Sequence, residues 1–246
     1  MTNQKGGVGK TTTAVTLAAA LAEAGERVLV VDLDAQGCAT FSLGIDAEDV
    51  PEGGTHVFGG AKASELISTT DDGIDVIAAA LDLAGIERAL GGRKGREFVL
   101  RDALAPLTQA YDWIFLDCSP SLGIITINAL TAATDVLIPL QAETLSHRGV
   151  GQLLETLEQV RTYTNPDLRL LGVVPTLFDG RTAHARAVLE DLGPRYDVRV
   201  FAPIHRSIRF AEAPATGRSV LATDPRSRAA REYRALAQEL RALTPR

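Results

Sequence analysis

Cysteine is nearly absent from this sequence: Cys38 and Cys118 are the only two in 246 residues. Their spacing offers neither a metal motif nor a disulfide framework, so a stapled secreted scaffold is excluded and a reducing cytoplasm is the expected compartment. No apolar run is long enough to span a bilayer, and no basic segment followed by an apolar one opens the chain. No stable membrane association is therefore expected. None of the histidines His56, His147, His184 and His205 falls in a catalytic motif. Repeats, low-complexity tracts and dividing linkers are lacking too, so one domain over residues 1–246 is expected. With 46% apolar and 23% charged residues, that domain can bury a full core.

Lysine is missing from the last quarter of the chain. From Arg181 onward there are thirteen arginines and seven acidic residues, a surplus of six positive charges, while residues 1–180 carry −12. A basic end on an acidic body suits a polyanion on one face, although a salt-bridged helical surface has the same composition.

What is present begins with Lys5-Gly6-Gly7-Val8-Gly9-Lys10-Thr11-Thr12. Glycines let the backbone take turns closed to residues with a Cβ, so successive N–H groups can point inward and cradle a phosphate. An Ala-rich helix follows at once, and its N-terminus faces the same phosphate. Lys10 then reaches the outer phosphates and the Thr11 hydroxyl ligates Mg²⁺. A phosphate loop is normally fed by a buried apolar strand of four or five residues, yet only Met1, Thr2 and Asn3 precede Gln4. Either upstream residues are missing from this version of the chain or the strand is shortened. Without that strand a parallel sheet loses a central member and leaves neighbouring backbone groups unpaired; a shortened strand weakens the sheet.

The remaining pattern alternates strands and helices, which predicts a doubly wound, mostly parallel α/β sheet flanked by helices. The first helix ends at Gly25, and Arg27–Leu33 is a strand buried on both faces that delivers Asp32 and Asp34. Residues 36–70 are read as loops with a short helix near Ala61–Ile67. Asp75–Ala79 is a strand, followed by helices at Leu81–Leu90 and Glu97–Ala110. Asp112–Asp117 is a second buried strand ending in an acid. Leu122–Ala132 is helical, Asp135–Leu140 a strand, His147–Tyr163 a helix and Leu168–Leu177 a strand. Arg181–Leu192 is a helix, Val198–Phe201 a short strand and Pro225–Ala242 the last helix. Asp117 ends its strand in the Walker B manner and would hold the metal, through water. Asp32 and Asp34, two apart on a strand, point the same way and need a cation such as Mg²⁺ or Lys10 between them.

The octet at Lys5 resembles the deviant phosphate loop of the ParA/MinD class of ATPases. Val30-Val31-Asp32-Leu33-Asp34-Ala35-Gln36-Gly37 and Ile114–Leu122 match the same class. Ile208-Arg209-Phe210-Ala211-Glu212-Ala213-Pro214 and Asp224–Arg228 resemble its partitioning branch, ParA/Soj. The resemblance implies a P-loop NTPase fold, with ATP and Mg²⁺ as cofactors and Gly6, Gly7, Val8, Gly9, Lys10, Thr11 and Thr12 around the nucleotide. It implies that Lys5 reaches the partner subunit's nucleotide in an ATP-dependent homodimer, that Asp34 orients the attacking water, and that Asp32 supports the metal and the loop. It places the adenine pocket partly at His205-Arg206, where a proline-arginine pair is usual. Arg181 and Arg209 fall where partitioning ATPases contact double-stranded DNA without sequence preference, and Arg218 extends that patch. The implied partner is a ParB-like centromere-binding protein, and the implied location is the cytoplasm, associated with the nucleoid. Ala35 and Ser119 replace customary prolines, and Cys38 a customary asparagine.

The alternative within the class is a MinD-like division-site regulator on the membrane. That protein needs a C-terminal amphipathic helix with large apolar residues. Here Arg231–Arg246 offers Tyr233, Leu236, Leu240 and Leu243 but neither Phe nor Trp.

Overall fold

The computed structural model describes residues 1–46, 50, 55–79, 85–86, 90–141 and 146–244. Helix α1 (Lys10–Glu23) starts on the glycine loop and ends at Ala24 and Gly25, the latter at φ +86°. Strand β1 (Val28–Leu33) follows and is buried throughout. Two short helices, α2 (Cys38–Ser42) and α3 (Thr55–Gly59), precede β2 (Ile67–Thr69) and β3 (Asp75–Ile77). Next come α4 (Val99–Leu104), β4 (Trp113–Cys118), α5 (Ile124–Ala132) and β5 (Asp135–Gln141). Helix α6 (Ser146–Tyr163), β6 (Arg169–Thr176), α7 (Ala183–Tyr196), α8 (Arg209–Glu212), α9 (Val220–Thr223) and α10 (Arg228–Leu243) complete the order.

The strands are arranged as β2-β3-β1-β4 and, separately, β5-β6. β1 pairs in parallel with both β3 and β4, and β5 in parallel with β6; only β2 runs antiparallel. In the β1–β4 register Asp32 lies opposite Asp117, so two strands deliver acids to one carboxyl edge. The break between the two sheets falls where the expected first strand is short. Met1 to Asn3 reach across it: the Met1 amine donates to the Leu116 carbonyl (2.7 Å) and the Asn3 amide to the Pro139 carbonyl (2.7 Å).

Strand alternation sorts the core into two faces. Val28 and Val30 pack with α1 and α10, while Leu29, Val31 and Leu33 pack with α3, α4 and α5. A third cluster joins β5 and β6 to α6 and α7. Helix α1 is buried from Thr13 to Leu21, as an almost wholly apolar helix must be. It is tied to α10 by a buried Thr13–Tyr233 hydroxyl pair at 3.0 Å.

Several expectations need correction. The helix expected at Ala61–Ile67 is a single 3₁₀ turn, Ala63–Glu65, followed by strand β2. The short helices α2, α8 and α9 carry too few residues to show a period. Val198–Phe201 makes only a bridge, Val200 to Val173, instead of a strand. Most of the helix expected at Leu81–Leu90 lies outside the described residues.

Candidate active site

The loop is held open by its glycines. Gly7 (φ +71°) and Gly9 (φ +79°) are in the left-handed region, and nothing lies within 4 Å of where a Cβ on Gly6 or Gly7 would stand. Gly9 stands at the N-cap of the fourteen-residue helix α1 and makes no side-chain cap bond to its first N–H groups. Thr176 on β6 donates to the Val8 carbonyl (2.6 Å), fixing the loop to the second sheet. Lys10, only 7% exposed, curls back to the Lys5 carbonyl (3.2 Å).

Burial lowers the Lys10 pKa, against the opposing pull of Asp117 and Asp34. Asp117 is 1% exposed and neither carboxylate oxygen has a hydrogen-bond partner. Burial and the Asp32 charge push it up to about 7, with Thr11, the N-terminal amine and Lys10 pulling the other way. A buried carboxylate without a donor is costly unless a cation compensates it. The described residues hold no cluster of three or more His, Cys, Asp or Glu side chains able to cage a metal. A cation here must draw its other ligands from phosphate and water, as Mg²⁺ commonly does. The donor set Thr11, Asp117 and an open glycine loop fits that ion.

Asp32 is differently placed. It accepts the Thr40 amide (2.9 Å), the Thr40 hydroxyl (2.8 Å) and the Asp34 amide (3.1 Å). Its oxygens therefore hold the loop that follows β1. The alternation argument fails for Asp34, because β1 stops at Leu33 and Asp34 opens a turn, accepting the Gln36 amide (3.0 Å). Thr40 was not legible in advance: it stands eight residues from Asp32 with no motif, and its hydroxyl also accepts the Ala79 amide (2.8 Å).

The Asp117 environment sets a pH dependence. Its folded pKa of about 7 lies above the ordinary 3.8, so between those values the folded chain holds a proton that the unfolded chain has lost. Stability therefore falls as pH rises through that window and stays lower above it. Thermal midpoints without magnesium should drop by several degrees between about pH 4.5 and about pH 7.5, and Asp117→Asn should flatten the drop.

His205 is held by Glu232, which bonds both its backbone amide (2.9 Å) and its Nδ1 (2.8 Å). Phe178 meets the ring edge-on at 5.2 Å, and Arg228 lies against it. Glu232 and Arg228, one turn apart on α10, are a clamp that sequence spacing did not point to. Arg206 bonds the Phe178 carbonyl through its amide (3.2 Å).

The three arginines assigned to DNA are all ion-paired on the surface. Arg181 forks onto Asp179 and holds its carboxyl well below the usual range, with Arg206 adding to the pull. Arg209 pairs with Glu212 and Asp224, and Arg218 with Asp72. Part of the C-terminal charge is spent similarly on the body, as in Arg234–Glu23 and Arg241–Glu26. The backbone beside Arg218 touches the turn that follows α2: a Cβ on Gly217 would stand 2.7 Å from the Gly44 Cα.

A glycine loop on an uncapped helix, a buried lysine and two strand-end carboxylates define a phosphate-loop nucleotide-binding protein. The AAA domain family model matches residues 1–170. The sporulation initiation inhibitor protein Soj of Bacillus subtilis is 44% identical over 245 residues, covering 98% of this chain and 97% of its own. The chromosome-partitioning ATPase Soj of Thermus thermophilus is 45% identical over 243 residues, covering 98% and 94%. A solved Mycobacterium smegmatis structure, described as cobyrinic acid a,c-diamide synthase with bound ATP analog and magnesium, is 48% identical. It superposes with a TM-score of 0.87 over 98% of this chain and 93% of that one. The chain belongs to the ParA/Soj family of chromosome-partitioning ATPases.

Proposed function

We propose that this chain hydrolyses ATP to time its residence on DNA. ATP closes a sandwich dimer, the dimer grips duplex DNA regardless of sequence, and a ParB-like partner stimulates the hydrolysis that releases it. The observation that carries this reading is the bare, buried Asp117 carboxylate beside Lys10, at the open end of the glycine loop.

The loop amides and the α1 N-terminus bind the phosphates, and Lys10 brings a positive charge to the outer ones. Thr11 and Asp117 would hold magnesium, with Asp32 fixing the adjoining loop, and that ion would supply charge neutralisation at the phosphates. Asp34 orients the attacking water from its turn. Lys5, arriving from the partner subunit, acts as an arginine finger does, stabilising charge on the transferring phosphoryl group. His205 and Arg206 line the adenine side.

A route from nucleotide to DNA is supported by contacts along one segment. Asp32 holds Thr40 in α2, the α2 segment ends at Gly44, and Gly44 touches Gly217 between Arg209 and Arg218. A shift of the α2 segment on nucleotide binding would therefore be felt at the arginine segment. Arg181, Arg209 and Arg218 exchange their acidic neighbours for DNA phosphates, a contact that carries no base information.

Membrane association is disfavoured by α10, whose Tyr233, Leu236 and Leu240 are buried in the core with α1. Among the described residues no helix is long and apolar enough to cross a membrane. Sedimentation tests the proposal: Asp34→Ala in Mg²⁺-ATP should run at about twice the 26.1 kDa chain mass and in ADP at the single mass. A single mass in both nucleotides would refute the dimer.

A further inference from the structure

The acidic body of the chain carries a basic recess. Residues 1–180 sum to −12, yet residues 93–101 hold four cations, Arg93, Lys94, Arg96 and Arg101, against the single acid Glu97. Three of them, Arg93, Lys94 and Arg101, line a cavity of about 610 Å³, within the range of ligand pockets. Lys62, just before the 3₁₀ turn Ala63–Glu65, lines it too, so cations reach the cavity from two separate segments. Its apolar walls come from Val57 of α3, Val99 of α4 and Leu107, all part of the cluster that packs under β1 or set against it.

The recess is fixed from within. Arg96 donates to the Gly91 carbonyl (2.8 Å), closing the turn that carries Arg93 and Lys94. Asn128 of α5, fully buried, donates to the Arg96 carbonyl (2.8 Å) and accepts the Leu100 amide (3.1 Å), which ties the start of α4 to the core. The Arg101 guanidinium lies over the Phe98 ring, 4.5 Å from its centre. Lys62 pairs with Glu65 (3.2 Å) and Arg101 with Asp102 (3.0 Å), both acids well exposed. Pairs of this kind contribute little, so an incoming carboxylate can replace them. Among the described residues Arg93 and Lys94 have no acidic partner.

Charge makes the ligand anionic, and the recess sets its shape. Duplex DNA offers phosphates on a convex surface to projecting cations, and apolar walls give it nothing. The arginine segment assigned to DNA also lies elsewhere: Phe210 and Ala213, beside Arg209, pack with α1 and α10, on the other face of the β1 sheet from Val57 and Leu107. We propose that this recess is the docking site for a short acidic segment of a partner protein, with an apolar residue set among its carboxylates. The apolar side chain rests against Val57, Val99 and Leu107, and the carboxylates meet Arg93, Lys94, Lys62 and Arg101. The first contact supplies affinity, and the second supplies orientation and a fast encounter. None of these side chains belongs to the glycine loop or to the strand-end acids, so the segment does not compete with nucleotide.

The test uses the whole chain and fluorescein-labelled peptides Glu-Asp-X-Glu-Asp, with X Leu, Ile, Met, Phe or Trp, and with X Gly as the control. Fluorescence anisotropy at low salt reads the affinity. An apolar X should bind at least about tenfold tighter than Gly, and added salt should weaken the complex. The double variant Arg93→Glu/Lys94→Glu should lose at least about tenfold of that affinity, with ATP turnover and duplex DNA retention within about twofold of wild type. Arg209→Glu should bind the peptide as wild type does. No binding for any X up to about 1 mM would overturn the site, as would equal affinity for apolar X and Gly. So would an unchanged affinity in Arg93→Glu/Lys94→Glu, or an equal loss in Arg209→Glu. Loss of duplex DNA retention in the double variant would also overturn it, assigning the recess to nucleic acid.

Discussion

Lys10→Ala should lower ATP turnover by about 100- to 1,000-fold, the usual consequence of removing a positioned charge from a transferring group. Lys10 sits inside the loop with its ammonium against the Lys5 carbonyl and under the influence of both Asp117 and Asp34. Lys5 is not placed to replace it, because in the proposed dimer Lys5 meets the nucleotide of the other subunit. Lys10→Arg should fail nearly as badly: a planar fork does not fit where a compact ammonium is buried. Steady-state phosphate release, with circular dichroism to confirm folding, checks both variants. Turnover within a few-fold of the wild type would remove Lys10 from the chemistry.

Arg209→Glu should weaken DNA binding by at least about 100-fold at low salt, and by a similar factor on unrelated sequences. The substitution removes a phosphate-binding cation from each subunit of the dimer and puts a negative charge in its place. It also sets three acids together, since Glu212 and Asp224 already flank the site. Arg209→Ala is the companion variant. It deletes the same guanidinium without adding repulsion, so its effect should be smaller and its salt dependence shallower than wild type. ATP turnover without DNA should be unchanged in both. Retained affinity in Arg209→Glu would move the DNA surface elsewhere on the chain.

The parts of this molecule that could be read in advance are those fixed by local chemistry. The glycine loop, the apolar runs ending in Asp32 and Asp117, and the alternation of strands and helices each depend on neighbours in sequence. What escaped depends on how the chain folds back on itself, over short separations as well as long ones. Thr40 bonding Asp32, Thr176 bonding Val8 and Glu232 clamping His205 are set by how elements dock, and no spacing announces them. Asp34 lies just beyond the end of β1, as the strand bounds implied, but the turn it opens, in which the Gln36 and Gly37 amides bond it, was not legible. The arginines were legible as a surplus, with a salt-bridged surface as one of its two readings; their partners were not legible, because Asp72 and Glu23 come from distant segments.

The most direct measurement is retention on duplex DNA of arbitrary sequence, at low salt, in Mg²⁺-ATP, in Mg²⁺-ADP and without nucleotide. Tight retention in ATP alone, abolished as salt is raised and prolonged by Asp34→Ala, is the predicted result. Equal binding in all three states, or none in ATP from a chain that stays monomeric, would contradict it.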